Sequence, residues 1–198
     1  MSVSIDEIRK LKELTGVGLT DAKNALVEAG GDFDKALEAM RRKGLTKAEK
    51  RGEREARAGL IEAYVHDGRI GVLIELNCET DFVAKTDDFK TLAHDVAMQV
   101  AAMSPEYIAE ADVPEEDKLR KEAELIEAAK NAGKPEEIAK KAVAGQMNKY
   151  FAELTLMKQL FWKDDSLTIE DLIKNHIAKL GENIVVRQIS RIELGVSK

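Results

Sequence analysis

Cysteine is almost missing from this sequence. Cys78 stands alone, which excludes an internal disulfide framework and a Cys-rich zinc site and fits a reducing compartment. Prolines number three and aromatic residues make up 5%. Against that scarcity stands an abundance of Ala, Glu, Lys and Leu, the composition of a mostly helical protein. β-rich windows interrupt the helical pattern, so it is no single coiled coil. A basic excess is also missing: the net charge is −6, which argues against a general nucleic-acid binder, since phosphate attraction needs a basic face. No apolar run is long enough to cross a bilayer. The opening residues, Met1 to Glu7, contain no apolar signal region. A cytoplasmic protein is expected. Nor is there a phosphate-cradling glycine loop or a dinucleotide fingerprint. His66, His94 and His176 fall in three separate elements without metal-like spacing. No cofactor, metal site or catalytic constellation is expected.

What is present begins with three short helices. The first is expected from about Ser4 to Leu14, with Ile5, Ile8, Leu11 and Leu14 along one face. Thr15-Gly-Val-Gly18 breaks it. The second, about Thr20 to Ala29, turns Ala22, Ala25, Leu26 and Ala29 inward and stops at Gly30-Gly31. Asp32 caps the third, which points Phe33, Ala36, Leu37 and Met40 inward and is expected to stop near Gly44. The pattern over residues 1–45 resembles the ubiquitin-associated three-helix fold, with Gly16-Val17-Gly18 as an inter-helix loop. In that fold the loop and last helix grip a partner; the alternative is that Val17 and Leu19 only pack the bundle. From Lys47 to Arg57 eight of eleven residues are charged, which reads as a solvated linker helix over residues 46–58.

Residues 59–198 read as an α+β body. Leu60 to Val65 and Ile70 to Cys78 form a hairpin around Asp67-Gly68. Ile70, Val72, Ile74 and Leu76 share a face, with Leu73 on the other. A helix from about Asp87 to Met103 carries a stripe of Phe89, Leu92, Ala93, Val96, Ala97 and Val100. A helical pair follows at about residues 115–156, parted by Asn131-Ala-Gly133, with Pro135 opening its second member and Leu119, Ala123, Ile126 and Ala129 as the thin stripe of the first. Leu156 to Trp162 is apolar enough to be buried. Thr168 opens a helix from Ile169 to Leu180, ended by Gly181. The closing run, Asn183 to Leu194, is a third strand that joins the hairpin. It is apolar on both faces, so it needs cover on both, from helices or from a second copy of the sheet. The expected architecture is thus α+β and mostly helical: a three-helix bundle, a linker helix, and a three-stranded antiparallel sheet packed with helices and a helical pair.

One stretch is an odd choice if packing is the only demand. At the corner between the second strand and the long helix, Thr80-Asp-Phe-Val83 sets an acid beside a large aromatic. Thr80 or Asp81 could simply start a helix and Phe82 could plug the core beneath it. The surrounding run, Glu75-Leu-Asn-Cys-Glu-Thr-Asp-Phe-Val-Ala-Lys85, resembles the signature of the bacterial elongation factor Ts family. A second run, Leu11 to Leu26, resembles that family's amino-terminal signature, and Ala178-Lys-Leu-Gly-Glu-Asn-Ile184 is similar to its closing segment. The three lie in family order across nearly the whole chain.

The resemblance implies a guanine-nucleotide exchange factor for elongation factor Tu, the GTPase that carries aminoacyl-tRNA, and no covalent catalysis. It implies that the tip Thr80, Asp81, Phe82 and Val83 approaches the Mg²⁺ and phosphate end of the partner's nucleotide site, with Phe82 wedged between two partner helices. It implies that Val17, Gly18, Leu19 and Thr20 grip the partner's GTPase domain; many relatives have methionine where this chain has Thr20. A single sheet unit marks the short family form, which pairs as a homodimer and would carry two copies of the partner. Ser190 stands where one short relative has a linking cysteine, so the implied dimer is noncovalent. Leu160 replaces a proline common in the family. Direct nucleic-acid or membrane contact is not implied. The competing readings are an adaptor that uses only residues 4–43 and a hydrolase built on scattered carboxylates, for which no constellation is visible.

Overall fold

A computed structural model describes residues 3–15, 17–132 and 136–196. Gly16, Gly133 and Pro135, to which the sequence assigned turn and helix-start roles, lie outside the described residues. The chain divides into two compact units. One comprises Met1–Glu62, Ile74–Asp95 and Asp171–Arg187, the other Ala63–Leu73, Val96–Glu170 and Gln188–Lys198. The fold is α+β and mostly helical.

In the first unit, α1 (Ile5–Thr15), α2 (Leu19–Glu28) and α3 (Phe33–Arg51) enclose a core of Leu11, Ala22, Ala25, Leu26, Ala36 and Met40. Of the four apolar residues expected on one face of α1, only Leu11 is fully buried; Ile5 and Leu14 are exposed. Steps of three fall short of a full turn, so a run of them drifts around the helix and leaves its two ends on opposite flanks. α2 ends in a Schellman motif, with the Gly31 N–H on Leu26 O at 2.8 Å and the Gly30 N–H on Val27 O at 3.0 Å.

The third helix does not stop near Gly44 but runs unbroken to Arg51. The stretch expected to be a solvated linker helix is therefore the end of α3 followed by an irregular segment. The reason is packing against α8 (Ile169–Leu180). A Cβ at Gly44 would lie 3.1 Å from Ala178 Cβ, so glycine here lets two helices meet closely. One turn further Ala48 is buried, and Arg51 Nη1 donates to Ile177 O at 3.1 Å, a carbonyl in the last turn of α8 that also accepts the Gly181 N–H at 3.0 Å. Charge count alone could not reveal that one stripe of this segment is apolar and small.

The sheet order is β1 (Ala58–His66), β2 (Ile70–Cys78), β5 (Ile184–Glu193), antiparallel, with β2 central. Asp67 and Gly68 have φ of 49° and 66°, a type I′ turn as Asp-Gly predicts. On β2, Val72, Ile74 and Leu76 are buried and Leu73 is exposed. On β5, Ile184 and Val186 are buried, whereas Ile192, expected on their face, is exposed. α4 (Asp81–Ala84) and α5 (Asp87–Met103) follow β2, and every residue of the expected α5 stripe is buried.

In the second unit, α6 (Glu115–Asn131) and α7 (Glu136–Leu154) form the helical pair. The packed stripe of α6 differs from the expected one: Leu119 and Ile126 are exposed, while Leu125 is half-buried and Ala129 buried. α7 answers with Val143, Met147 and Phe151 at a spacing of four. A short second sheet, β3 (Leu160–Phe161) with β4 (Asp164–Thr168), was not anticipated. It divides the run expected to be wholly buried: Phe161 is covered, Leu160 and Trp162 are exposed, as extended chain demands. Fully buried Gln99 holds this segment, with Nε2 on Gln159 Oε1 and Leu160 O, both at 3.1 Å, and Oε1 receiving the Trp162 N–H at 3.0 Å.

Candidate functional site

The end of β2 delivers Cys78 into the interior and then turns sharply outward. Cys78 is completely buried and its thiol donates to Thr80 O at 3.2 Å. Burial pushes the thiol pKa up, and the Glu182 carboxylate adds a smaller push in the same sense. Thr80 is the N-cap of α4, its hydroxyl accepting the Val83 N–H at 3.5 Å. Ala84 anchors the far end of this one-turn helix in the core. Asp81 and Phe82 project from it, and Val83 is half-buried.

Phe82 is 87% exposed, the most exposed large apolar side chain among the described residues. The reading in which it plugs the core beneath the helix is therefore excluded. Leaving such a ring in water forfeits roughly 2 kcal/mol of burial. A side chain that gains nothing from its own fold, carried on a backbone held at both ends, has the form of a contact awaiting a partner.

The corner is held by a segment more than a hundred residues further along the chain. Glu182 Oε2 accepts the N–H groups of Glu79 at 3.1 Å and Thr80 at 3.0 Å, and Oε1 accepts the Thr80 hydroxyl at 2.6 Å. Asn183 N–H donates to Glu79 Oε1 at 2.7 Å. Its side-chain amide donates to Gly52 O at 3.3 Å and Arg54 O at 2.6 Å. Arg54 reaches Glu79 Oε2 at 3.5 Å. No local pattern marks these residues as part of a site, although Glu182 and Asn183 belong to the third signature run. The available signal was topological: in an antiparallel neighbour of β2, the start of β5 must lie beside the end of β2.

At the amino-terminal loop the predicted residues behave differently from one another. Val17 packs against the bundle core, as its plainer reading required. Gly18 is the N-cap of α2 with extended dihedrals, and Leu19 is 53% exposed beside exposed Thr20. The histidines have unrelated local partners: His66 with Tyr64 Oη at 3.0 Å, His94 with Glu62 Oε1 at 2.8 Å, and His176 with Leu172 O at 2.8 Å. Among the described residues no group of three His, Cys, Asp or Glu side chains is placed to hold a metal ion, and no helix is long and apolar enough to cross a membrane.

The family model described as Elongation factor TS matches residues 33–196. The chain is 53% identical to Elongation factor Ts of Moorella thermoacetica over 195 residues, covering 98% of this chain and 96% of that one. It is 51% identical to the proteins of the same name from Carboxydothermus hydrogenoformans, covering 95% and 87%, and Thermotoga petrophila, covering 98% of each. A matched region that takes in the helical bundle's last member, the sheet, the corner and its clamp leaves one assignment: this chain belongs to the elongation factor Ts family of translation elongation factors.

Proposed function

We propose that this chain is a guanine-nucleotide exchange factor for elongation factor Tu. It binds the GDP-bound GTPase and accelerates GDP release by disturbing the Mg²⁺ and phosphate end of the nucleotide site. The observation that carries this reading is the nearly complete exposure of Phe82 on a corner pinned from both sides. Mg²⁺ bridges nucleotide phosphates to protein ligands, so a wedge that shifts those ligands weakens nucleotide binding. By reciprocity GDP weakens the binding of this chain by the same factor. Exchange needs no covalent step. The tip is Thr80 to Val83, with Asp81 beside the wedge. The bundle of residues 1–45, ubiquitin-associated-like in this reading, grips the partner through Val17, Gly18, Leu19 and Thr20, of which Leu19 offers the exposed apolar contact. The chain works in the cytoplasm as a noncovalent homodimer carrying two copies of the partner, without nucleic-acid or membrane contact of its own.

The test is the rate of GDP release from elongation factor Tu with this chain and with Phe82→Ala. The variant is expected to lower the maximal acceleration roughly thirty-fold, the ratio that matches a hot-spot loss of about 2 kcal/mol. Its thermal unfolding should be unchanged, because the ring buries little in the free chain. Equal acceleration by both proteins would remove Phe82 from the mechanism.

A further inference from the structure

We infer that Glu182 is the positioning residue for the tip: its carboxylate presets the corner in working geometry before any partner arrives. This rests on the reading of Phe82 as the wedge and extends it to the element that aims the wedge. The corner's other holds are local: the Cys78 thiol and the Ala84 N–H on Thr80 O at 3.2 and 3.3 Å, and the Thr86 N–H and hydroxyl on Val83 O at 3.0 and 2.7 Å. α4 is a single turn, its three leading residues are exposed or half-buried, and the Val83 N–H reaches Thr80 Oγ1 only at 3.5 Å. Glu182, by contrast, accepts three hydrogen bonds from two consecutive residues, all between 2.6 and 3.1 Å. A carboxylate has acceptor sites for all three at once, and charge-assisted bonds of this kind are the stronger class. Because the two backbone donors are Glu79 and Thr80, the carboxylate fixes the peptide planes from which α4 starts. The direction of the Cα–Cβ bond of Phe82 follows from them.

Glu182 is in turn held in place. It follows Gly181, which ends α8 at a φ of 82°, and it precedes Asn183, whose amide is buried against Gly52 O and Arg54 O. Glu79 closes the loop by accepting the Asn183 N–H and contacting Arg54. A wedge that must displace another protein's metal ligands loses rate steeply when its orientation is left to fluctuate. Preorganisation of the tip should therefore appear in the maximal exchange rate rather than in affinity.

The test uses Glu182→Ala and Glu182→Gln, each alone and combined with Phe82→Ala. Glu182→Ala should lower the maximal rate of GDP release at least about tenfold. The concentration giving half-maximal acceleration should move less than about threefold, since the bundle's grip is untouched. Glu182→Gln keeps one acceptor oxygen and should fall between the two. In the Phe82→Ala background, adding Glu182→Ala should change the rate less than about twofold, because a residue that acts only through the wedge has nothing left to aim. Effects that multiply in the double variant, or a wild-type maximal rate in Glu182→Ala, would overturn the assignment. Amide hydrogen exchange on the free chain decides it without the partner. The Glu79 and Thr80 amides should exchange at least about tenfold faster in Glu182→Ala while α5 amides keep their protection. Unchanged protection at Glu79 and Thr80 would overturn the assignment even if Phe82 proves to be the wedge. Loss of protection with a silent Phe82→Ala would instead place the failure in the wedge reading.

Discussion

At the scale of single residues, the corner was legible as an anomaly before it was legible as a site. An acid beside a phenylalanine at a strand end has a plain packing interpretation, and only the solvent exposure of Phe82 removes it. Glu182 was not legible in this way. A carboxylate after a helix-ending glycine looks like ordinary solvated charge, and no periodicity links it to residues a hundred positions earlier. His176 carries a residue-level prediction of its own. It is half-buried on α8 with Nδ1 on Leu172 O, and burial holds its pKa below the ordinary value of 6.5. The folded chain therefore prefers the neutral ring more strongly than the unfolded chain does. Stability is fully present above pH 6.5 and is lost as pH falls from there through the depressed folded value. Thermal unfolding followed from pH 8 to pH 5 should show a declining midpoint below pH 6.5, and His176→Gln should flatten that part of the curve. A slope that survives the substitution would assign it to other groups.

At the scale of elements, clear periodicity in the sequence and the observed bounds coincide. β2, α5 and α8 have the expected bounds because each carries an unbroken stripe, and all six predicted stripe residues of α5 are buried. The failures have physical causes. Gly44 reads as a stop signal in the sequence, although a glycine inside a helix also serves where another helix comes close. The sequence pattern puts the α6 stripe on Leu119, Ala123, Ile126 and Ala129, whereas Lys118 and Lys121 are half-buried in register with Leu125 and Ala129, long stems that pack while their charges stay wet. β3 and β4 are too short to give a pattern. Within β1, Gly59 marks a constraint no sequence pattern announced: its φ is 148°, and a Cβ there would lie 2.1 Å from Leu76 O. Both the dihedral and the clash with β2 backbone forbid a side chain. Gly59→Ala should destabilise the chain by about 3 kcal/mol or more, read from the shift in the urea midpoint. A shift of less than about 1 kcal/mol would mean that the two strands can part cheaply.

At the scale of the whole molecule, the expected two-sided apolar character of the sheet is partly realised. Val65, Leu73 and Ile192, one from each strand, are all exposed by at least half. Apolar strand faces left in water are the places where sheets acquire partners. In the homodimer reading proposed above, a second copy of the chain would cover these faces. Sedimentation of the isolated chain should therefore give twice the 21.9 kDa chain mass, and Leu73→Glu should shift it to the monomer without unfolding it. A monomer in the unsubstituted protein would end the homodimer reading and leave the exchange reading standing.

The unbroken course of α3 has a consequence for how this chain can vary in length. A helix adds about 100° of rotation and 1.5 Å of rise with each residue. Between Met40, which closes the bundle core, and Ala48, buried where α3 meets α8, one inserted residue would swing the bundle by more than a quarter turn. Substitutions along that span leave the angle untouched, but a gain or loss of one residue does not. Seven residues come within about 20° of two full turns. The segment between the two anchoring faces is thus a counted length, tolerant of letters and intolerant of spacing.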